Sequence, residues 1–127
     1  MRKLISTGSP FEDVAGYSRA VVQDNWCFVS GTTGYDYATM TMPESVEAQT
    51  HNTLLTIDKA LAEAGFARQD IVRVQYTITE AEDADLVFPI VGRYFKGIKP
   101  AATMVVAGLI KPEMKIEIEV TALRAKA

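Results

Sequence analysis

Two glutamates near the end of the chain, Glu117 and Glu119, alternate with Ile116, Ile118 and Val120 behind Lys115. The alternation is that of a strand with one apolar and one charged face. The preceding run, Thr103 to Ile110, is almost continuously apolar, as in a strand buried on both faces. If these two strands pair, one or both carboxylates look toward covered space, where a carboxylate needs a partner or a task. Glu117 is the strongest candidate for such a task. The alternative is a charge held structurally in a polar interior, and Glu119 is read that way. Tyr17 can orient a ligand through its hydroxyl, or it is an ordinary half-buried strand tyrosine. Arg19, two residues on, shares its strand face and is read first as an ion-pairing residue. Beside Gly31, Thr32 and Thr33 offer hydroxyls to a ligand or cap a loop.

Other reactive types are poorly placed for chemistry. Cys27 sits between Trp26 and Phe28, where packing is the expected role. With one cysteine and one histidine, His51 on a solvated helix face, neither a Cys-His pair nor a zinc site of the usual spacing is available. The acidic run Glu80 to Asp85 lacks the glycine and distal glutamate of a calcium loop and suits a helix N-terminus instead. Gly31-Thr-Thr-Gly34 lacks the lysine and length of a phosphate-binding loop. No metal is expected.

The elements that position these residues can be read along the chain. Leu4 to Ser6 predicts a short strand stopped by Gly8-Ser9-Pro10. Tyr17 to Val22 and Trp26 to Ser30 predict a hairpin turning at Asp24-Asn25. Thr41-Met-Pro-Glu44 resembles a capping box that opens a helix closing at Gly65, with Val46, Thr50, Leu54, Ile57, Leu61 and Ala64 on one stripe. Ile71 to Thr79 alternates as a strand. Asp85 to Phe95 predicts a second helix, started late or kinked by Pro89. The order is β-β-β-α-β-α-β-β: an α+β fold, one sheet with two helices on one face, in a single domain over residues 1–127.

At 127 residues and 48% hydrophobic, the chain can build a sizeable core. Its net charge of −3 argues against nucleic acid or an anionic membrane as a partner. The single cysteine excludes an internal disulfide and suits a reducing compartment. The N-terminus turns polar before a signal-peptide core could form, and no apolar run nears the about 20 residues that span a bilayer. A cytoplasmic location is the expectation. Two helices cover one face only, while Met104 to Val106 reads as buried on both, so a second copy of the chain is the expected cover.

Tyr17-Ser-Arg-Ala-Val21, Phe28-Val-Ser-Gly31, Gln49-Thr50, Pro100-Ala101 and Lys115-Ile-Glu-Ile-Glu119 together resemble the RidA/YjgF family, over nearly the whole chain and in matching order. The resemblance implies a chorismate-mutase-like fold, a homotrimer forming a barrel with small-molecule ligand clefts between subunits, and hydrolysis of enamines or imines without metal or cofactor. It implies that Tyr17 lines the cleft, that the Gly31 backbone meets the substrate carboxylate, and that Glu117 orients the attacking water. The family's deaminases carry an arginine after Pro-Ala that grips the substrate carboxylate; here that place is Ala102, and the cysteine two residues on in many members is Met104. A planar guanidinium binds a carboxylate through two parallel hydrogen bonds, and losing such a buried partner costs about 2–5 kcal/mol. The expected activity is therefore directed at a substrate other than a simple 2-imino acid, with a non-catalytic ligand binder as the alternative. An RNA-directed activity, described for some members, is disfavoured by the acidic balance. Arg19 is a candidate to replace the missing arginine from another direction.

Overall fold

The computed structural model describes residues 1–125; the last two residues of the expected 1–127 domain lie outside the described residues. Six strands form one sheet: β1 (Arg2–Ile5), β2 (Ala20–Gln23), β3 (Trp26–Thr32), β4 (Ile71–Ile78), β5 (Ala101–Val106) and β6 (Ile116–Leu123). Three α-helices accompany them: α1 (Pro10–Ala15), α2 (Val46–Ala64) and α3 (Ala84–Tyr94). The spatial order is β1-β2-β3-β6-β4-β5. All neighbours are antiparallel except β4 and β5, whose α3 crossover makes them parallel. The α+β class and the strand order along the chain agree with the sequence reading.

Local chemistry explains the elements. Gln23 pairs with Trp26 across Asp24-Asn25, and Asp24 takes a positive φ of 53°, as a two-residue hairpin turn requires. Helix α2 ends as expected, with Gly65 at φ 84° and the Phe66 N–H donating to the Leu61 carbonyl. Its start differs from the expected capping box. Thr41 is held in an isolated bridge to Asp36, so Ser45 caps the helix, its Oγ accepting the Ala48 N–H at 3.1 Å. Helix α3 accommodates Pro89 in its sixth position and begins one residue before the expected Asp85.

The short helix α1 replaces the expected stop at Gly8-Ser9-Pro10. Ser9 caps it, Pro10 opens it and Gly16, at φ 72°, closes it. The Tyr17 N–H then donates to the Glu12 carbonyl, so β2 begins at Ala20 rather than at Tyr17.

The core lies between the sheet and the paired helices α2 and α3. Ile116, Ile118 and Val120 of β6, Val74, Tyr76 and Ile78 of β4, and Cys27 and Val29 of β3 meet Leu54, Ile57 and Leu61 of α2 and Val87 and Ile90 of α3. Burial pushes the Cys27 thiol up to about 11, as suits a packing residue.

Two expectations about the C-terminal strands are corrected. β5 and β6 do not pair; β4 lies between them. β5 ends at Val106 and is an open edge of the sheet, with Val106 54% and Ile110 81% exposed in the single chain. An apolar run identifies a strand bound for burial, but not whether its own chain supplies the cover. The face opposite the helices is also open. It carries Glu117, Glu119, Thr77 and Gln75 in register, and beside them Phe28 and Trp26, whose rings stack with centroids 5.9 Å apart.

Candidate active site

The β3–β6 ladder shifts register between Val29 and Thr32, and Gly31 stands in that irregularity. Its Cα faces Glu117 so closely that a Cβ on Gly31 would lie 2.6 Å from the carboxyl carbon. Only glycine leaves that carboxyl group its place. Glu117 itself is half-buried on the open face of β6. Burial, foremost, and the neighbouring Glu119 push its carboxyl above the usual range, against a downward pull from Arg19.

Tyr17, Gly31 and Glu117 line one cleft of about 260 Å³. The rest of its wall comes from α1 (Phe11, Val14, Ala15), from Thr33 and Tyr37 after β3, and from Ile110 and Met114 before β6. The volume falls just under the roughly 300–1,000 Å³ of complete small-molecule pockets. Among the described residues, no lysine or arginine lines it.

Arg19 stands behind this wall. It is 1% exposed, the largest fully buried side chain among the described residues. Its Nη1 donates to the Gly31 carbonyl at 2.8 Å and to Thr32 Oγ1 at 3.0 Å, and its Nη2 to the Tyr17 hydroxyl at 3.4 Å. The guanidinium carbon lies 4.9 Å from the Tyr37 ring centroid and 5.6 Å from that of Tyr17. Its Nε faces Glu12 Oε2 at 3.8 Å. Glu12 is buried too and accepts hydrogen bonds from Ser6 Oγ, Thr7 N and Thr7 Oγ1. Burial tends to raise the Glu12 carboxyl, but the hydrogen bonds from Thr7 and Ser6 and the Arg19 charge outweigh it, and the net shift is downward. On the far side of Arg19 lies a separate hollow of about 440 Å³ between α2, the end of β1 and the Tyr35–Ala38 segment; Glu117 takes no part in it.

The structure thus brings Tyr17, Gly31 and Glu117 together and places the other sequence-derived candidates elsewhere in the chain. Thr32 is fully buried, its hydroxyl accepting from Arg19 and donating to the Ser30 carbonyl, and it is Thr33 that reaches the cleft. On β5, two strands away from β6, Ala102 and Met104 pair with Val74 and Tyr76; Ala102 is exposed at that open edge, while Met104 packs partly against the core. His51 is exposed on α2.

Phe11, Tyr37, Ile110 and Met114 were not foreseen in the cleft, nor Glu12 behind it. For α1 and Glu12 a signal existed, since Ser9-Pro-Phe-Glu12 has the serine and glutamate spacing of a helix start. Above the cleft, Gln49 of α2 fixes the loop before β6. Its Nε2 donates to the Glu113 and Pro43 carbonyls and its Oε1 accepts the Lys115 N–H, all at 2.9 Å. The Tyr35 hydroxyl holds Glu113 of the same loop. A cleft floored by one carboxyl group, walled by aromatic rings and set by a rigid backbone can hold a small ligand and a water against it.

Comparison with known proteins agrees with this fold. The family described as Endoribonuclease L-PSP matches residues 7–124. A RutC family protein of Leuconostoc mesenteroides subsp. cremoris is 32% identical over 128 residues, covering 97% of this chain and 98% of its own. Among solved structures, a Mycobacterium tuberculosis member of the YjgF/YER057c/UK114 family superposes with a TM-score of 0.89 at 35% identity, covering 97% of this chain and 99% of its own. A Rid-family protein of unknown function, YyfA from Yersinia pestis, gives 0.87 at 29% identity over the same shares of the two chains. No helix of the described residues is long and apolar enough to cross a membrane.

Proposed function

The chain belongs to the RidA/YjgF family, the one whose description is Endoribonuclease L-PSP, and on that premise we propose that it binds a small metabolite in clefts between the subunits of a homotrimer and hydrolyses an imine or enamine there. The observation that carries the reading is the Glu117 carboxyl group seated on Gly31 in a cleft it shares with Tyr17. A carboxyl group that burial makes hold its proton more tightly than usual is suited to both halves of imine hydrolysis. Ionised, it holds a water and takes its proton as oxygen bonds to the imine carbon; protonated, it returns that proton to the departing nitrogen. The open strand β5 and the uncovered face carrying Phe28 and Trp26 support self-association as the source of the remaining walls. Light scattering is expected to give a trimer, and a stable monomer at micromolar concentration would remove the intersubunit cleft.

The substrate differs from a simple 2-imino acid because Ala102, which the proposed trimer would bring to the cleft from the open β5 edge of the neighbouring subunit, occupies the place of the carboxylate-gripping arginine. The test supplies imines from amino acids with an oxidase and follows keto-acid release. Wild type is expected to be slow, and Ala102→Arg to be faster by at least about tenfold, equivalent to about 1.4 kcal/mol of transition-state stabilisation. The gain should vanish when Glu117→Gln is added. A folded, trimeric Ala102→Arg protein with no gain would favour a second reading, a ligand-binding trimer without catalysis, for which the same Ala102 speaks.

A further inference from the structure

We infer that the cleft selects a cationic, carboxylate-free ligand, an iminium derived from a primary amine with an apolar or aromatic body. The inference deepens the proposed function and rests on its placing of the site at Glu117.

The wall that one chain gives the cleft carries one carboxyl group, Glu117, and, among the described residues, no lysine or arginine. Arg19 is the nearest buried cation, and it is closed to a ligand. Three hydrogen bonds turn its terminal nitrogens to Gly31, Thr32 and Tyr17, Glu12 faces its Nε, and it is 1% exposed. A substrate carboxylate would meet the Glu117 carboxyl group with no compensating charge from this wall, and the neighbouring subunit's β5 would offer Ala102 at the place of the carboxylate-gripping arginine, which is unfavourable in a partly desolvated site. A cation meets the opposite conditions. Phe11, Tyr17 and Tyr37 offer aromatic rings beside the carboxyl group, and a carboxylate with aromatic rings is the chemistry that recognises ammonium and iminium groups. Val14 and Met114 supply apolar surface for the rest of the ligand.

The reaction balances for such a substrate: R–CH=NH2⁺ and water give R–CHO and ammonium. The water oxygen bonds to the imine carbon while the C=N π pair moves to nitrogen. One water proton passes through Glu117 to that nitrogen. The carbon–nitrogen bond then breaks, ammonia leaves, and the second water-derived proton goes with it as ammonium. Neither oxidant nor metal enters the balance.

Benzylamine and phenylglycine, which differ only by a carboxylate on the amine-bearing carbon, form the test pair. Isothermal titration of the assembled protein should show benzylamine binding at least tenfold tighter than phenylglycine, with the preference reduced to twofold or less in Glu117→Gln. Equal binding, tighter phenylglycine binding, no binding of either, or a preference that survives in folded Glu117→Gln would each overturn the inference. Hydrolysis of the two corresponding imines, generated by an amine oxidase and an amino-acid oxidase, separates this inference from the functional reading. A benzylamine preference with neither imine hydrolysed would sink the hydrolase and leave the ligand class standing. Faster hydrolysis of the amino-acid-derived imine would do the reverse.

Discussion

Glu12 and Glu117 stand on two sides of one guanidinium, and their surroundings drive them in opposite directions. Glu12, in the wall built by α1, is enclosed but accepts hydrogen bonds from Ser6 and Thr7 and faces Arg19, so its ionised form is favoured. Glu117, on the open face of β6, is less enclosed, yet its proton is held more tightly, because burial and Glu119 act on it with only the more distant charge of Arg19 in opposition. Burial pushes both carboxyl groups up; at Glu12 the hydrogen bonds and the counter-charge outweigh it, and at Glu117 they do not. The wall carboxyl group is tied into hydrogen bonds from Ser6 and Thr7 and faces Arg19, whereas the cleft carboxyl group is left to a ligand or water.

The contrast is broken most severely at Arg19. Arg19→Met leaves Glu12 buried without its counter-charge and frees Gly31, Thr32 and Tyr17 together. Breaking a buried pair from one side costs about 3–5 kcal/mol, and urea denaturation is expected to show a loss in that range. A loss under about 1 kcal/mol would mean that the wall is held by packing alone.

At Gly31 the cleft is changed while the wall is kept. Gly31→Ala sets a methyl 2.6 Å from the Glu117 carboxyl carbon, and the flexible end of the glutamate must give way. Folding should lose about 1–3 kcal/mol, as for other overpacked sites. Displacing the carboxyl group by about 1 Å should cost roughly a hundredfold in imine hydrolysis. Activity equal to wild type would separate Glu117 from the chemistry.

The smallest effect sharpens the comparison through pH. The Glu117 carboxyl is raised from its ordinary 4.5 in the folded protein, which therefore holds the proton more tightly than the unfolded chain. Stability falls as pH rises between the two values. Glu117→Gln removes that dependence, so the variant should gain on wild type from pH 4 to pH 7. Glu12 runs the other way: its contribution is present above the unfolded value and is lost as pH falls through the depressed folded one. Melting temperatures measured from about pH 2 to pH 7 for wild type, Glu12→Gln and Glu117→Gln should show the two opposed slopes, that of Glu12 below its ordinary 4.5 and that of Glu117 above it.

Much of this architecture was legible from periodicity. The alternation in β4 and β6, the stripe of α2 and the turn at Asp24-Asn25 all predicted elements found within a few residues. The triad of Tyr17, Gly31 and Glu117 came from the resemblance, and the fold brings these three to one cleft. What stayed hidden has physical causes. Helix α1 has six residues, too few for a 3.6-residue period to declare itself, and with it went Glu12. Without Glu12 nothing in the sequence says that Arg19 turns inward, and reading Tyr17 to Val22 as one strand gave its side chain a face it does not take. The β5 run advertised burial but not the identity of the cover, and its separation from β6 by β4 is a property of topology that a linear pattern does not carry.

The close approach of Gly31 to Glu117 also orders the evolutionary routes open to this site. The two positions share one small volume, so a side chain at 31 is admissible only after the residue at 117 has shortened or left. A lineage can discard the carboxyl group first and fill the glycine later, but the reverse sequence passes through an intermediate with a displaced acid. Homologues that carry a larger residue at position 31 should therefore have lost the acid at 117, and these two sites should change as a coupled pair with a fixed order of events.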